Sequence, residues 1–247
     1  QPPRLKDSKN RINSELYPTG ELPYSVIYKI SKWIVYYFAV GKSDISGEDW
    51  GDIFAKAIDG EHLSSPLGLA DVVLEGQAWS VKSVKNTNPH TCEKIRVISG
   101  RNYPDYTRGI KNPHADPQKT GEAVLEIWNE RVNIALDRFN FLRTVIFVRE
   151  VNKLEFTLFE LETQRFPVNE YTWQENEFSN LIGTNKTTKT HHFTWQPHGS
   201  QFTIIYTVPA SSVRFKVKRP QVLDFEQTIE QIGFNESWIT INENYSP

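Results

Sequence analysis

Asp71 and Lys82 stand at the outer ends of a run that reads as two short strands, 71–75 and 78–82, joined at Gly76-Gln77. A Gly-X pair between two apolar, β-branched runs signals a two-residue hairpin turn. That turn pairs Glu75 with Ala78 and Asp71 with Lys82, and side-chain alternation puts Asp71, Val73, Ser80 and Lys82 on one face. Val72, Leu74, Trp79 and Val81 form the opposite face, which is apolar and suited to packing on a helix. A carboxylate facing a lysine is what metal-assisted phosphodiester hydrolysis requires. The acid holds a divalent cation that acidifies a bound water, and the ammonium orients that water and offsets charge at phosphorus. The plain alternative is a cross-strand ion pair, which is common and worth little. The hairpin by itself leaves these two readings level.

The surrounding sequence supplies elements to hold such a hairpin. Pro23 opens a helix over 24–40 that Gly41 closes, and its Trp33, Tyr36, Tyr37 and Phe38 serve either as core or as an interface. Ser46 or Gly47 caps a second helix over 48–58, with Trp50, Phe54, Ala57 and Ile58 on one face and Gly60 after its end. A third strand is expected at 94–99, then a long Pro-bearing loop over 100–119. Thr120 opens a helix with Val124, Trp128, Val132, Ala135 and Phe139 in register, and strands follow at 142–149 and 154–161. A last hairpin, 193–196 with 201–208, turns at Pro197-His198-Gly199-Ser200. The expected class is mixed α/β in one domain of 247 residues: an N-terminal extension and helix (1–45), a core (46–161) and a β-rich part (162–247). The first dozen residues are polar and expected to be loose.

Over 46–161 the sequence resembles the PD-(D/E)xK nuclease superfamily, and within it the type II restriction endonucleases. Ala70-Asp71 stands in the place of the Pro-Asp element and Ser80-Val81-Lys82 in the place of the acid-x-Lys element. The resemblance implies an αβββαβ core with a mixed central sheet, Mg²⁺ as cofactor, Asp71 as metal ligand, Lys82 as the catalytic lysine and Ser80 beside them in the catalytic set. It departs from the family at Ser80, where a second acid is usual. The helix over 48–58 is the favoured source of that acid, through Asp52 or Glu48, ahead of Glu93, Glu122, Glu126 and Glu75. The alternative is that the acid is absent and the domain binds DNA without cutting it. Lys85 falls on the opposite strand face from Lys82 and is rejected as the catalytic lysine.

Net charge is −2, with 28 basic and 30 acidic residues, but the charge is segregated. Residues 82–119 hold 8 basic and 3 acidic residues, and residues 185–220 hold 6 basic and none acidic. Two basic blocks on an acidic chain point to a polyanion cleft. The expected DNA contacts are Lys85, Lys94, Arg96, Arg101, Asn102, Arg108 and Lys111 from the first block. Lys186, Lys189, His191, His198 and Gln201 are those from the second. Arg101 and Asn102 have side chains able to read guanine and adenine edges, whereas most of the others contact phosphate.

Cys92 is the sole cysteine, which excludes a disulfide framework and any site of paired thiolates. His191 and His192 point to opposite faces of a strand, so no zinc site is expected. No stretch is long and apolar enough to span a membrane. A chain with no Met that starts at Gln1 is not expected to be a complete translation product. The expectation is therefore a Mg²⁺-dependent endodeoxyribonuclease acting on double-stranded DNA at a specific sequence. It would be a restriction enzyme of a prokaryotic cytoplasm, and a homodimer, because two active sites match two strands. A repair or structure-specific nuclease is the nearest alternative.

Overall fold

The computed structural model describes residues 15–67 and 69–240. The loose segment expected in the first dozen residues lies outside them. Pro23 N-caps α1 (Tyr24–Ala39), and Gly41 follows its end at φ +87°. Ser46 starts α2 (Gly47–Ile58) with a capping box: its hydroxyl accepts from Asp49 N while the Asp49 carboxylate accepts from Ser46 N. α2 ends on Asp59 in the left-handed conformation, so Asp59 and not Gly60 makes the stop.

The strands β1 (Glu61–Leu67), β2 (Ala70–Leu74) and β3 (Gln77–Lys85) come next, followed by β4 (Lys94–Arg101) and the short helix α3 (Pro104–Arg108). α4 (Pro117–Arg138) begins at a Pro after an Asp116 cap, one turn earlier than Thr120. β5 (Phe141–Glu150), β6 (Glu155–Glu162), β7 (Tyr171–Glu175), β8 (Leu181–Asn185), β9 (His191–Gln196), β10 (Gln201–Thr207), β11 (Val213–Lys216) and α5 (Phe225–Gln231) follow.

These strands form two sheets. The first has order β1-β2-β3-β5-β6-β11; its β3–β5 pair is parallel and the others are antiparallel. A parallel pair demands a long crossover, and the segment carrying α4 supplies it. The second sheet, β4-β10-β9-β8-β7, is wholly antiparallel. α1 and α2 bury Ile30, Ile34, Trp50 and Phe54 against Val72, Trp79 and Phe147 on one face of the first sheet. α4 lies between the sheets, with Val124, Leu125 and Trp128 packed among Ala78, Leu142, Phe193 and Phe202. At Gly121 a Cβ would come within 2.0 Å of the Trp173 ring, so only glycine lets α4 approach the second sheet this closely. The mixed α/β class is as expected.

Three expectations need correction. The strand over 94–99 does not join the first sheet; it is β4 and pairs with β10, because Ile95 and Val97 pack onto Ile146, Val148 and Phe159 from the second layer. The third strand beside the hairpin is β1, which the sequence hides behind Ser64, Ser65 and Pro66. The hairpin turn is Glu75-Gly76, not Gly76-Gln77: both turn residues have positive φ (45° and 80°), as a type I′ turn requires, and Gln77 enters β3 opposite Leu74. Pairing therefore shifts by two residues. An even shift leaves every side chain on its expected face.

A buried ionic network ties the N-terminal segment to the first sheet. Glu160 accepts from Trp79 Nε1 (2.6 Å), Tyr17 Oη (3.0 Å), Gly20 N (3.2 Å) and Arg143 Nη1 (3.0 Å). Arg143 also donates to Tyr17 O at 2.6 Å. Burial, with the adjacent Glu160 charge, pushes the Tyr17 phenol far above its ordinary range. Trp79 anchors β3 from behind, and the adjacent residues Ser80 and Lys82 face the other way.

Candidate active site

β2 and β3 bring Asp71 and Lys82 together. Continuing the observed register places Asp71 opposite Ser80, so Lys82 is a diagonal neighbour and reaches back to it. Asp71 Oδ2 accepts from Lys82 Nζ at 2.9 Å and from Val81 N at 2.8 Å, with Ser80 Oγ at 3.4 Å. Lys82 Nζ also lies 3.2 Å from Val81 O. The ammonium thus sits between a carboxylate and a main-chain carbonyl. Both side chains are about one-fifth exposed, at 19% and 21%. They are dry enough to interact strongly and open enough to meet a ligand.

Asp71 and Lys82 line a cavity of about 480 Å³, closed on the other side by Gly47, Glu48, Gly51 and Asp52 of α2 and by His62 and Leu63 of β1. The helix favoured as the source of the second acid therefore does face Asp71 across the cavity. Asp52 Oδ1 is held by His62 Nδ1 at 2.9 Å. Gly51 makes room for that ring, since a Cβ there would lie 2.5 Å from His62 Nε2. His62 escaped the sequence reading because β1 itself was not recognised.

Arg131 approaches from α4 and was also missed. Its guanidinium donates to Asn102 Oδ1 at 3.2 Å and lies against Gly100. Burial pulls it below the usual arginine range, while the charge of Asp71 pulls it back up. The helical stripe reading of α4 captured only its apolar face.

The acids suit a hard cation in kind. Mg²⁺ takes oxygen donors, commonly one or two carboxylates with waters and substrate phosphate making up the rest. Asp71 and the Val81 carbonyl would provide one side of such a site, and Asp52 or Glu48 the other. Among the described residues no three His, Cys, Asp or Glu side chains converge as a ready-made metal cluster. Ser80, expected at the centre, is 1% exposed and does not line the cavity.

The two basic blocks meet in the second sheet, where Arg101 pairs with Gln201 and Lys94 with Thr207. Lys94, Arg101, Lys111, Lys189 and His198 are exposed, and none forms an ion pair among the described residues. Gln201 is half-buried at the start of β10, and the remaining expected contacts are engaged elsewhere. Asn102 is fully buried, donates Nδ2 to Val124 O at 2.9 Å and takes Trp195 Nε1 on its carbonyl at 3.0 Å. It is a structural bracket between α4 and β9 and presents no edge to a base. Arg108 is paired with Glu126 at 3.2 Å and with Glu130. Lys85 pairs with Asp44 at 2.7 Å, Lys186 donates to Asn169 O at 2.7 Å and Arg96 donates to Thr194 Oγ1 at 2.9 Å. His191 Nε2 serves Phe193 O (2.8 Å) and Thr194 Oγ1 (2.9 Å); burial, helped by Arg96, lowers its pKa and favours the neutral ring. Apart from those of His191, which lie in its own strand, these internal partners come from other elements, so spacing in the sequence could not show them. No helix among the described residues is long and apolar enough to cross a membrane.

No protein-family model matches the chain, no curated protein is similar to it, and no solved structure matches it.

Proposed function

We propose that this chain is a Mg²⁺-dependent endodeoxyribonuclease of the restriction-enzyme type, hydrolysing both strands of a specific duplex site. The observation that carries the reading is the Asp71–Lys82 contact at 2.9 Å on the wall of a cavity whose far wall holds Asp52 and Glu48. Within the first sheet α2 leads into β1, β2 and β3 and α4 leads into β5, parallel to β3, with β4 of the second sheet and α3 intervening; this arrangement supports an αβββαβ core. Asp71 orients charge at the reacting phosphate, and Lys82 holds the attacking water and offsets negative charge as it develops. A bound Mg²⁺ supplies Lewis acidity and a lowered water pKa. Lys94, Arg101 and Lys111 carry phosphate contacts on an exposed face, and a prokaryotic cytoplasm is the setting such an enzyme implies.

The second reading, a DNA-binding module that does not cut, draws on Ser80 standing where an acid is usual and on the lack of a convergent metal cluster among the described residues. Digestion of a mapped plasmid in Mg²⁺, with sequencing of the ends, separates these readings. Discrete fragments support the restriction-type enzyme, and a smear or nicks indicate a repair or structure-specific nuclease. Binding without cutting overturns the enzymatic reading.

A further inference from the structure

α1 turns one side to the core and leaves the other uncovered. Ile30, Ile34 and Phe38 are buried, whereas Tyr24, Tyr28 and Tyr36 are 79%, 56% and 51% exposed. With Lys32 these tyrosines fall on one i, i+4 ridge, a rung about every 6 Å along the helix. The Tyr24 and Tyr28 rings are near parallel with centroids 6.2 Å apart, and Trp33 meets Tyr36 edge-on at 5.7 Å. Two adjoining grooves run along the ridge. One of about 350 Å³ is lined by Lys29, Lys32, Trp33 and Tyr36, and one of about 530 Å³ takes in Tyr28 and Val35.

The charge on this face has one sign. Residues 22–43 contain three lysines and no Asp or Glu. Lys56 of α2 lies 4.7 Å over the Trp33 ring, and Lys32 lies 5.7 Å over the Tyr28 ring. Asp59 pairs with Lys29 at 2.6 Å, but neither Lys32 nor Lys56 forms an ion pair among the described residues. Ammonium groups interleaved with open ring faces are what an unpaired nucleic-acid strand needs, since the cations follow its phosphates and the rings stack on its bases. A duplex suits the face poorly, because neighbours at ~3.4 Å already cover its base planes. The acidic segment 221–247 leaves from the far end of the helix, where Leu223 N donates to Ala39 O at 2.7 Å. Its charge repels a strand there and confines it to the stretch from Tyr24 to Tyr36.

We propose that the outer face of α1 binds single-stranded DNA, with bases stacked on Tyr24, Tyr28, Trp33 and Tyr36 and phosphates held by Lys32 and Lys56. The choice of DNA over RNA rests on the nuclease reading; the strand site itself does not. This face lies on the helix layer, apart from Asp71 and Lys82 and from the exposed cations of the second sheet.

The probe is a fluorescein-labelled oligothymidylate of ~12 nucleotides, within the range such grooves cover, titrated in EDTA so that no metal-dependent cleavage intervenes. It should bind the full chain and quench part of the emission of its seven tryptophans. Trp33→Phe keeps a ring for stacking, so binding should persist while that quench is lost. Tyr28→Ser with Tyr36→Ser should weaken strand binding about tenfold or more. Both positions are exposed, so circular dichroism, the melting temperature and duplex affinity should be unchanged. Lys32→Ala with Lys56→Ala should lower the slope of log K against log salt by about 1.4, at ~0.7 per phosphate contact. No binding at ~100 μM strand in low salt, the weak end of non-specific affinity, overturns the proposal. So does binding indifferent to both pairs of substitutions, or tighter binding of oligouridylate than of oligothymidylate. A dimer in sedimentation equilibrium that Tyr28→Ser with Tyr36→Ser turns into monomer also overturns it, because the face is then a contact between copies. These measurements contain no cleavage step, so their failure leaves the plasmid digestion standing, and a chain that does not cut can still bind the strand.

Discussion

Lys82 Nζ lies 2.9 Å from Asp71 Oδ2 although the two residues do not face each other across the ladder, since the register gives Asp71 to Ser80. The contact is made by the length of the lysine side chain reaching back along β3. Val81 N, Ser80 Oγ and Lys82 Nζ all address the same carboxylate oxygen, which makes Asp71 the hub of the hairpin.

Removing either partner should stop cleavage while sparing DNA binding. Asp71→Asn keeps the shape and loses the charge, and Lys82→Ala removes the ammonium. Each should cut the Mg²⁺-dependent rate by roughly 10²–10³-fold, the size of losing one preorganised electrostatic group. Cleavage rates beside binding measured with Ca²⁺ check this, and intact cleavage in either variant would place the active site elsewhere.

The second acid can be identified by metal titration. Asp52→Asn should raise the Mg²⁺ concentration for half-maximal rate by about 10-fold or more. Gly51→Ala should mimic it, because the new Cβ displaces the His62 ring that holds Asp52. If Glu48→Gln alone produces the shift, Glu48 is the ligand.

Exposed cations should dominate DNA affinity. Lys94→Ala, Arg101→Ala and Lys111→Ala should each weaken binding at low salt and lower the slope of log K against log salt by about 1. Arg108→Ala should leave that slope unchanged, because Glu126 and Glu130 already neutralise its guanidinium. Affinities over a salt series distinguish the two outcomes.

The network on Glu160 should be the most sensitive point for stability. Glu160→Ala takes from the Arg143 guanidinium, 1% exposed, its buried carboxylate and leaves it the more exposed Glu15 carboxylate at 3.3 Å. The cost should be about 3–5 kcal/mol, a melting temperature lower by roughly 10 °C or more. Tyr17→Phe removes one of four donors and should cost about 1–2 kcal/mol. Equal melting temperatures for Glu160→Ala and wild type would contradict the assignment.

Acid sensitivity should trace to Asp44. Burial alone would raise its carboxyl, but hydrogen bonds from Arg149 and Lys85 overrule it and hold it at about 2. Because the folded value lies below the unfolded one of ~3.9, the contribution is complete above that value and is lost as pH falls toward 2. Wild type should be more stable than Asp44→Asn at pH 6, and the difference should shrink across that acid window in thermal melts.

Local signals carried much of the architecture. Pro23 and Gly41 bounded α1, Ser46 and the apolar spacing of Trp50, Phe54 and Ile58 bounded α2, and alternation assigned the faces of the hairpin correctly despite a two-residue error in its register. These features were legible because caps, turns and periodicity depend on neighbours a few residues apart. The pairing of Asp71 with Lys82 survived for the same reason: an even slip preserves the face, and a long side chain spans the remainder.

What the tertiary structure alone decided concerns partners distant in sequence. It placed β4 with β10 in a second sheet, brought His62 onto Asp52 from an unrecognised strand, and carried Arg131 toward Asp71 from α4. It also took Asn102, Arg108 and Lys85 out of the set of free DNA contacts by giving them internal partners. A side chain's type and spacing state which chemistry it is capable of. Whether that capability is spent inside the fold or left facing a ligand depends on long-range packing, which no local pattern encodes.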